Sequence, residues 1–362
     1  MAGKKKTIIH VVGTGTIGEP LIGLLTHFGK DLGVDEVTFN KRTPLKTDRS
    51  KVVDLMRRGA KLSTEKEQFS GFEKLGIKPT FDTEEAINRA TVVIDCTPSG
   101  AGLANKEKYY VKAAQAGGKA YIAQGSEFGF GKMYARGIND EALVPGEDKF
   151  IQVVSCNTHN LSALIKIFGT QGNTAPDNLV SADFVCMRRA NDISQDDDFC
   201  ASPEVGKHKD DQFGTHHARD AWHLYKTRGW DLKGLYSSAL KLNTQFMHVV
   251  RFHVRVKKAT SVDQLIKTIR EDDRQALTFK KSSNQIFSFG RDHGFFGRIL
   301  NQTIIPHETL SVSNGTDIRG FCFTSQDGNS LLSSVAGALW AIEPETYEKK
   351  IQCLKPFFFE EV

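Results

Sequence analysis

Apolar positions in the first 155 residues come in short blocks. Residues 7–12 (TIIHVV) are a β-branched run that stops at a glycine cluster, GTGTIG. Ile17, Leu21, Ile22, Leu24 and Leu25 then recur at helical spacing, so the segment reads as strand, tight turn, helix. Further runs lie at 34–40 (VDEVTFN), 90–96 (ATVVIDC), 119–123 (KAYIA) and 150–155 (FIQVVS). They are strand-length, and turn residues such as Thr97, Pro98, Ser99 and Gly100 close them. Short apolar strands alternating with helical stretches predict a parallel sheet covered on both faces.

After residue 156 the pattern changes. Residues 178–187 (NLVSADFVCM), 246–256 (FMHVVRFHVRV) and 308–312 partly alternate, which predicts an antiparallel sheet with one wet face. Residues 192–211 are polar and read as a loop. Residues 330–342 read as an apolar helix, expected to pack back on the first domain.

Length and composition narrow the function. A chain of 362 residues suits two domains. No apolar run reaches the length of a membrane span, and the first strand is too short for a signal peptide, so a cytoplasmic protein is expected. The net charge of +5 is compatible with anionic substrates, and no basic stripe marks a nucleic-acid binder. The six cysteines are irregularly spaced with no CxxC pair, against both a disulfide framework and a zinc site.

Gly13, Gly15 and Gly18 form GxGxxG between a strand and a helix, the setting in which that pattern marks a dinucleotide site. The helix start offers free N–H groups to a pyrophosphate. An NAD-selective site places a carboxylate about 20 residues further on. Here Asn40, Lys41, Arg42 and Thr43 follow, so NADP is expected alongside NAD, with Lys41 and Arg42 reading the 2′-phosphate.

Ser155, Cys156, Asn157 and Thr158 end a strand and open a helical pattern, which puts Cys156 where a helix dipole favours thiolate. Cys96 also ends a strand and reads as structural. A hydride acceptor and an activated thiol in one chain point to aldehyde oxidation through a hemithioacetal and a thioester. A base partner is needed, and the residue pattern leaves His216, His217 and His248 open. Arg188 and Arg189 follow a predicted strand and suit a phosphate ester. The expected fold class is α/β: a Rossmann-type parallel-sheet domain (1–155), an α+β catalytic domain with a mainly antiparallel sheet (156–320), and a helical segment (321–362) returning to the first.

The ordered set GTGTIG, DCTPSG (95–100), AQGSE (123–127), VVSCNT (153–158), RRAND (188–192), HH (216–217) and QFMH (245–248) resembles the archaeal-type (class II) glyceraldehyde-3-phosphate dehydrogenases. The resemblance implies a homotetramer, NAD or NADP as cofactor, and a small phosphorylated aldehyde with inorganic phosphate as partners. It places the nucleophile on Cys156 and the catalytic histidine on His248. Thr16, Ile17, Thr97, Gly125, Arg189 and Gln326 match cofactor contacts. Ser155, Asn157, Thr158, Arg188, His216 and His217 match the substrate site. The chain departs from the family at His159 and Asn160 and at Ala218, Arg219 and Asp220, positions expected near bound phosphate. Two rivals remain on sequence: a semialdehyde dehydrogenase of the same logic, and a non-catalytic NADP-binding sensor.

Overall fold

A computed structural model describes residues 6–125, 127–192, 200–325 and 327–362. The chain divides into two compact units. The first comprises residues 1–132, 143–153 and 333–355, and the second residues 133–142, 154–332 and 356–362.

The first unit is built on β1 (Ile8–Val12), β2 (Glu36–Asn40), β3 (Lys61–Thr64), β4 (Phe81–Asp82), β5 (Val92–Asp95), β6 (Ala120–Gln124) and β8 (Phe150–Val153). Their order is β4-β3-β2-β1-β5-β6-β8, all parallel, and the path ends on β7 (Lys132–Tyr134), where the chain leaves the unit. β1, β2, β5 and β6 are buried at every position, as central parallel strands are. The order reverses between β1 and β5, and ligands of such sheets bind beyond the carboxyl ends of the strands at that point.

The second unit carries β9 (Leu179–Arg188), β10 (Glu204–Val205), β11 (Leu235–Lys241), β12 (Val249–Val256), β13 (Gln275–Thr278), β14 (Thr303–Pro306), β15 (Ser311–Ser313) and β16 (Asp317–Thr324). The order is β10-β11-β9-β12-β16-β14-β13, with β15 on β16. β12 runs antiparallel to both β9 and β16, while β9–β11 and β13–β14 are parallel pairs. The sheet is mixed and mainly antiparallel, as the alternation predicts. Phe184, Cys186, Val250, Phe252, Val254 and Cys322 supply its core face, packed on Leu161, Leu164 and Ile165.

Three expectations need correcting. His248 precedes β12 rather than lying on it, because the segment before Val249 makes no ladder. Glu308 sits in a short 3-10 turn (His307–Thr309), and only Ser311–Ser313 is strand. The final segment does not return as one piece. Residues 321–332 and 356–362 belong to the second unit, where the N–H of buried Val362 donates to the Leu277 carbonyl of β13 at 2.9 Å and the Leu277 N–H donates to the Glu360 carbonyl at 3.0 Å.

Candidate active site

In the first unit the three motif glycines are required for different reasons. Gly13 has φ +95°, and a Cβ there would stand 3.0 Å from the Cys96 carbonyl oxygen. At Gly18 a Cβ would stand 2.2 Å from the Gly13 carbonyl oxygen, so only glycine lets the helix Gly18–His27 pack on the turn. Gly15 is exposed, and a Cβ there would meet nothing within 4 Å. The fold does not need glycine at that position, but a pyrophosphate approaching the backbone does. The loop therefore fits a dinucleotide, with Thr16 and Ile17 at the helix start.

Around the loop, Lys41 pairs with Asp48 at 2.5 Å, whereas Arg42 is exposed. Burial raises the Asp48 carboxyl, but Lys41 and then Lys51 together hold it below its usual range. Lys51 also donates to the Thr14 carbonyl at 3.2 Å, a contact with no signal in a motif 37 residues away. Thr97 turns its N–H (2.9 Å) and its hydroxyl back onto buried Asp95. That carboxylate also accepts from Asn105 at 2.8 Å and Tyr110 at 2.5 Å. Gly125 follows β6 with φ +70° and open space at its Cβ position.

In the second unit Cys156 is the first residue of the helix Cys156–Leu164 and is partly exposed. Ser155 caps that helix by accepting the Thr158 N–H at 3.3 Å. Beneath it, Thr324 accepts from Asn160 at 2.8 Å and donates to Asn157 at 3.1 Å, and Asn329 donates to the Cys156 carbonyl at 3.1 Å. This buried network fixes the helix start. Asn157 and Thr158 are themselves buried.

Burial pushes the Cys156 thiol up and Asp327 adds to the rise; Arg189 and the Asn157 N–H oppose them. Activation by the helix start is thus outweighed by desolvation.

Arg189 is buried. Its guanidinium pairs with Asp327 at 3.0 Å and Asp192 at 2.9 Å, and its Nε lacks a partner among the described residues. Its backbone N–H donates to Nδ1 of His248 at 3.0 Å. Burial, then Arg189, pushes His248 down to about 3. Arg188, by contrast, is exposed at the end of β9.

His216 and His217 open the eleven-residue helix His216–Lys226, their ring centroids 4.0 Å apart. Burial, then Arg188, Arg219 and Lys209, lowers His216 to about 4. His217 is buried, neither ring nitrogen has a partner among the described residues, and burial with His216, Arg188 and His248 depresses it. A helix N-terminus, cationic neighbours and unpartnered imidazole nitrogens form a setting for an anion.

Cys156, Arg189, His248, His217 and Arg188 are thus linked electrostatically, and Asp327 joins them without having been foreseen. Gln326 lies outside the described residues, as do Ser126 and residues 193–199 of the predicted loop. His159 and Asn160 do not reach a phosphate: both are buried, His159 on the Ser155 carbonyl at 3.1 Å and Asn160 on Thr324. Ala218 and Asp220 are buried too.

No protein-family model matches the chain. Glyceraldehyde-3-phosphate dehydrogenase of Sulfolobus acidocaldarius is 28% identical over 277 residues, 73% of each chain. The Methanococcoides burtonii enzyme of that name is 27% identical over 327 residues, 86% of each, and that of Thermococcus sibiricus 30% over 61% of each. These similarities support an archaeal-type glyceraldehyde-3-phosphate dehydrogenase family for the chain. Among the described residues no helix is long and apolar enough to cross a membrane, and no cluster of metal-ligating side chains occurs.

Proposed function

We propose that this chain oxidises glyceraldehyde 3-phosphate to 1,3-bisphosphoglycerate with inorganic phosphate and NAD or NADP, through a hemithioacetal and then a thioester on Cys156. The observation that carries the reading is a cysteine at a helix start under the charge of buried Arg189, whose backbone N–H holds His248, in a chain whose glycine loop leaves Gly15 open to a ligand.

Each residue has a part in the proposal. Gly13, Gly15, Thr16, Ile17 and Gly18 receive the pyrophosphate, and Thr97 and Gly125 border the cofactor. Since Lys41 is held by Asp48, Arg42 carries more of the NADP reading. The bound nicotinamide supplies a hydride acceptor. The Cys156 sulfur attacks the aldehyde carbon, and the carbonyl pair moves to oxygen. Arg188, His216 and His217 hold phosphate. The same cations that depress the two imidazoles attract an anion, and a bound anion would raise the imidazoles again. Ser155, Asn157 and Thr158 shape the helix start. Arg189 sets the charge at the thiol. A tetramer and a cytoplasmic, glycolytic role belong to the same proposal.

The test is a spectrophotometric assay with glyceraldehyde 3-phosphate, phosphate and each cofactor. Phosphate-dependent reduction of NAD or NADP is expected. Cys156→Ser should lose turnover by at least about a thousandfold while cofactor affinity stays within about twofold of the parent. Turnover retained in that variant rules out the thioester; no turnover in the parent removes the substrate assignment.

A further inference from the structure

At the end of β2, the side chain in the position that usually reads the adenosine ribose is turned away. An NAD-selective site carries an acid there. Here Asn40 is buried and its amide donates to the Thr83 hydroxyl at 3.0 Å. Its carbonyl accepts the Gly13 N–H at 3.2 Å, which ties the strand end to the glycine loop. A carboxylate arrives from further along the chain. Asp48 closes the 3-10 turn Lys46–Asp48 and precedes the helix Arg49–Arg57, yet its side chain caps no N–H of that helix. It reaches back to Lys41 at 2.5 Å and across to Lys51 at 3.3 Å. Lys51 also meets the Thr14 carbonyl of the glycine loop at 3.2 Å and Glu19 at 3.8 Å. Two ammonium groups and two carboxylates therefore offset one another beside the loop. Arg42 is exposed and outside this network, and Arg49 turns to the Leu75 carbonyl at 2.7 Å.

We propose, on the cofactor reading above, that Asp48 is the residue that sets the choice between NAD and NADP: its carboxylate holds Lys41 and Lys51 beside the glycine loop and withholds them from the 2′-phosphate that only NADP carries. NAD leaves the network as it is, because its adenosine ribose bears hydroxyls and no charge at that position. NADP brings a phosphate dianion. It must draw Lys41 off Asp48 or lie next to an ionised carboxylate, and either weakens its binding. Asp48 keeps its charge: burial works against it, but Lys41 and then Lys51 hold the carboxyl below its usual range. The acid that Asn40 does not provide on the strand is thus supplied by the turn that follows it.

Calorimetric titration of the whole chain with NAD, NADP, 5′-AMP and adenosine 2′,5′-bisphosphate tests this without turnover. Asp48→Asn keeps the shape of the side chain and a residue suited to a helix start. It should tighten NADP and adenosine 2′,5′-bisphosphate by at least about tenfold, the worth of one charge-assisted bond, and leave NAD and 5′-AMP within about threefold of the parent. Adding Lys41→Met to Asp48→Asn should remove most of that gain, because the released ammonium is what the 2′-phosphate meets. NADP bound no more tightly in Asp48→Asn, both cofactors shifted equally, or a gain that survives Lys41→Met each overturn the proposal. If Asp48→Asn folds poorly by its denaturant midpoint, Asp48→Ser carries the same test with the same outcomes. Binding of none of these nucleotides by the parent or the variants would remove the dinucleotide reading and this proposal with it. Cofactors that bind without diverging would remove only the role of Asp48.

Discussion

Asp327 has φ +65°, left-handed backbone that costs an L-residue roughly 1–2 kcal/mol. Its carboxylate meets Arg189 at 3.0 Å. Burial alone would raise that carboxyl, yet Arg189 and then Arg298 hold it low and ionised. Asp327 also raises the Cys156 thiol, so removing its charge should lower the thiol. Asp327→Asn, which tolerates the same backbone, should speed iodoacetamide alkylation of Cys156 several-fold at fixed pH. An unchanged or slower rate would show that Asp327 does not govern the sulfur. Asp327→Ala leaves Arg189 short of its charge partner in a strained turn and should lower stability by about 3–5 kcal/mol, read from denaturant midpoints. The sequence made Cys156 visible because its local context is sufficient: a strand end, small polar neighbours, a helix start. It did not reveal Asp327, which lies 138 residues from Arg189, nor that the Arg189 backbone N–H, 59 residues away, donates to Nδ1 of His248. It also misplaced His159 and Asn160, because an imidazole and an amide look alike in sequence whether they meet a ligand or a buried network.

At the level of elements, the glycine turn allows a test in which folding and binding separate. Gly18→Ala drives a Cβ against the Gly13 carbonyl, a backbone atom with little freedom to yield. That variant should be destabilised by more than about 2 kcal/mol or fail to fold. Gly15→Ala meets no protein atom. It should unfold within about 1 kcal/mol of the parent, yet bind NAD and NADP at least about tenfold more weakly, because the new methyl occupies the pyrophosphate's approach. Equal affinity in Gly15→Ala, measured by calorimetry, would remove the loop as the phosphate cradle. In the first unit β1, β2, β5, β6 and β8 were legible as apolar runs ended by turn residues, whereas β3, β4 and β7 are too short to stand out. In the second only β9, β12 and part of β15 were read as strands, and β10, β11, β13, β14 and β16 were not. Alternation reports that one face is wet, and it is the same for the parallel β9–β11 pair and the antiparallel β9–β12 pair.

At the scale of the whole molecule, the chain crosses between its units more often than composition reveals, since the last 42 residues are shared between both. Buried imidazoles occur in each unit and give the protein a common response to acid. His10, on β1, is pushed down to about 3 by burial, against its bond to Thr38; His248 is also held at about 3. His159 and His216 are held at about 4, both chiefly by burial. Each is neutral in the folded chain and titrates near 6.5 when unfolded, so the unfolded state binds more protons below that point. The sign follows: their contribution is intact above pH 6.5 and is lost as pH falls toward 4 and then 3. One imidazole lowered as far as His10 accounts for up to roughly 5 kcal/mol at the acid end, a large part of a typical stability of about 5–15 kcal/mol. The depressed carboxylates Asp327, Asp272 and Glu36 act later, since their unfolded values lie near 4. Denaturant midpoints should therefore fall steadily from about pH 7 to about pH 5.5, before carboxylate protonation becomes important, with a slope of more than one proton. His10→Gln, which keeps an amide able to meet Thr38, should reduce that slope by about one proton. A flat stability curve over that window would mean that these imidazoles take up protons as readily in the folded chain as in the unfolded one.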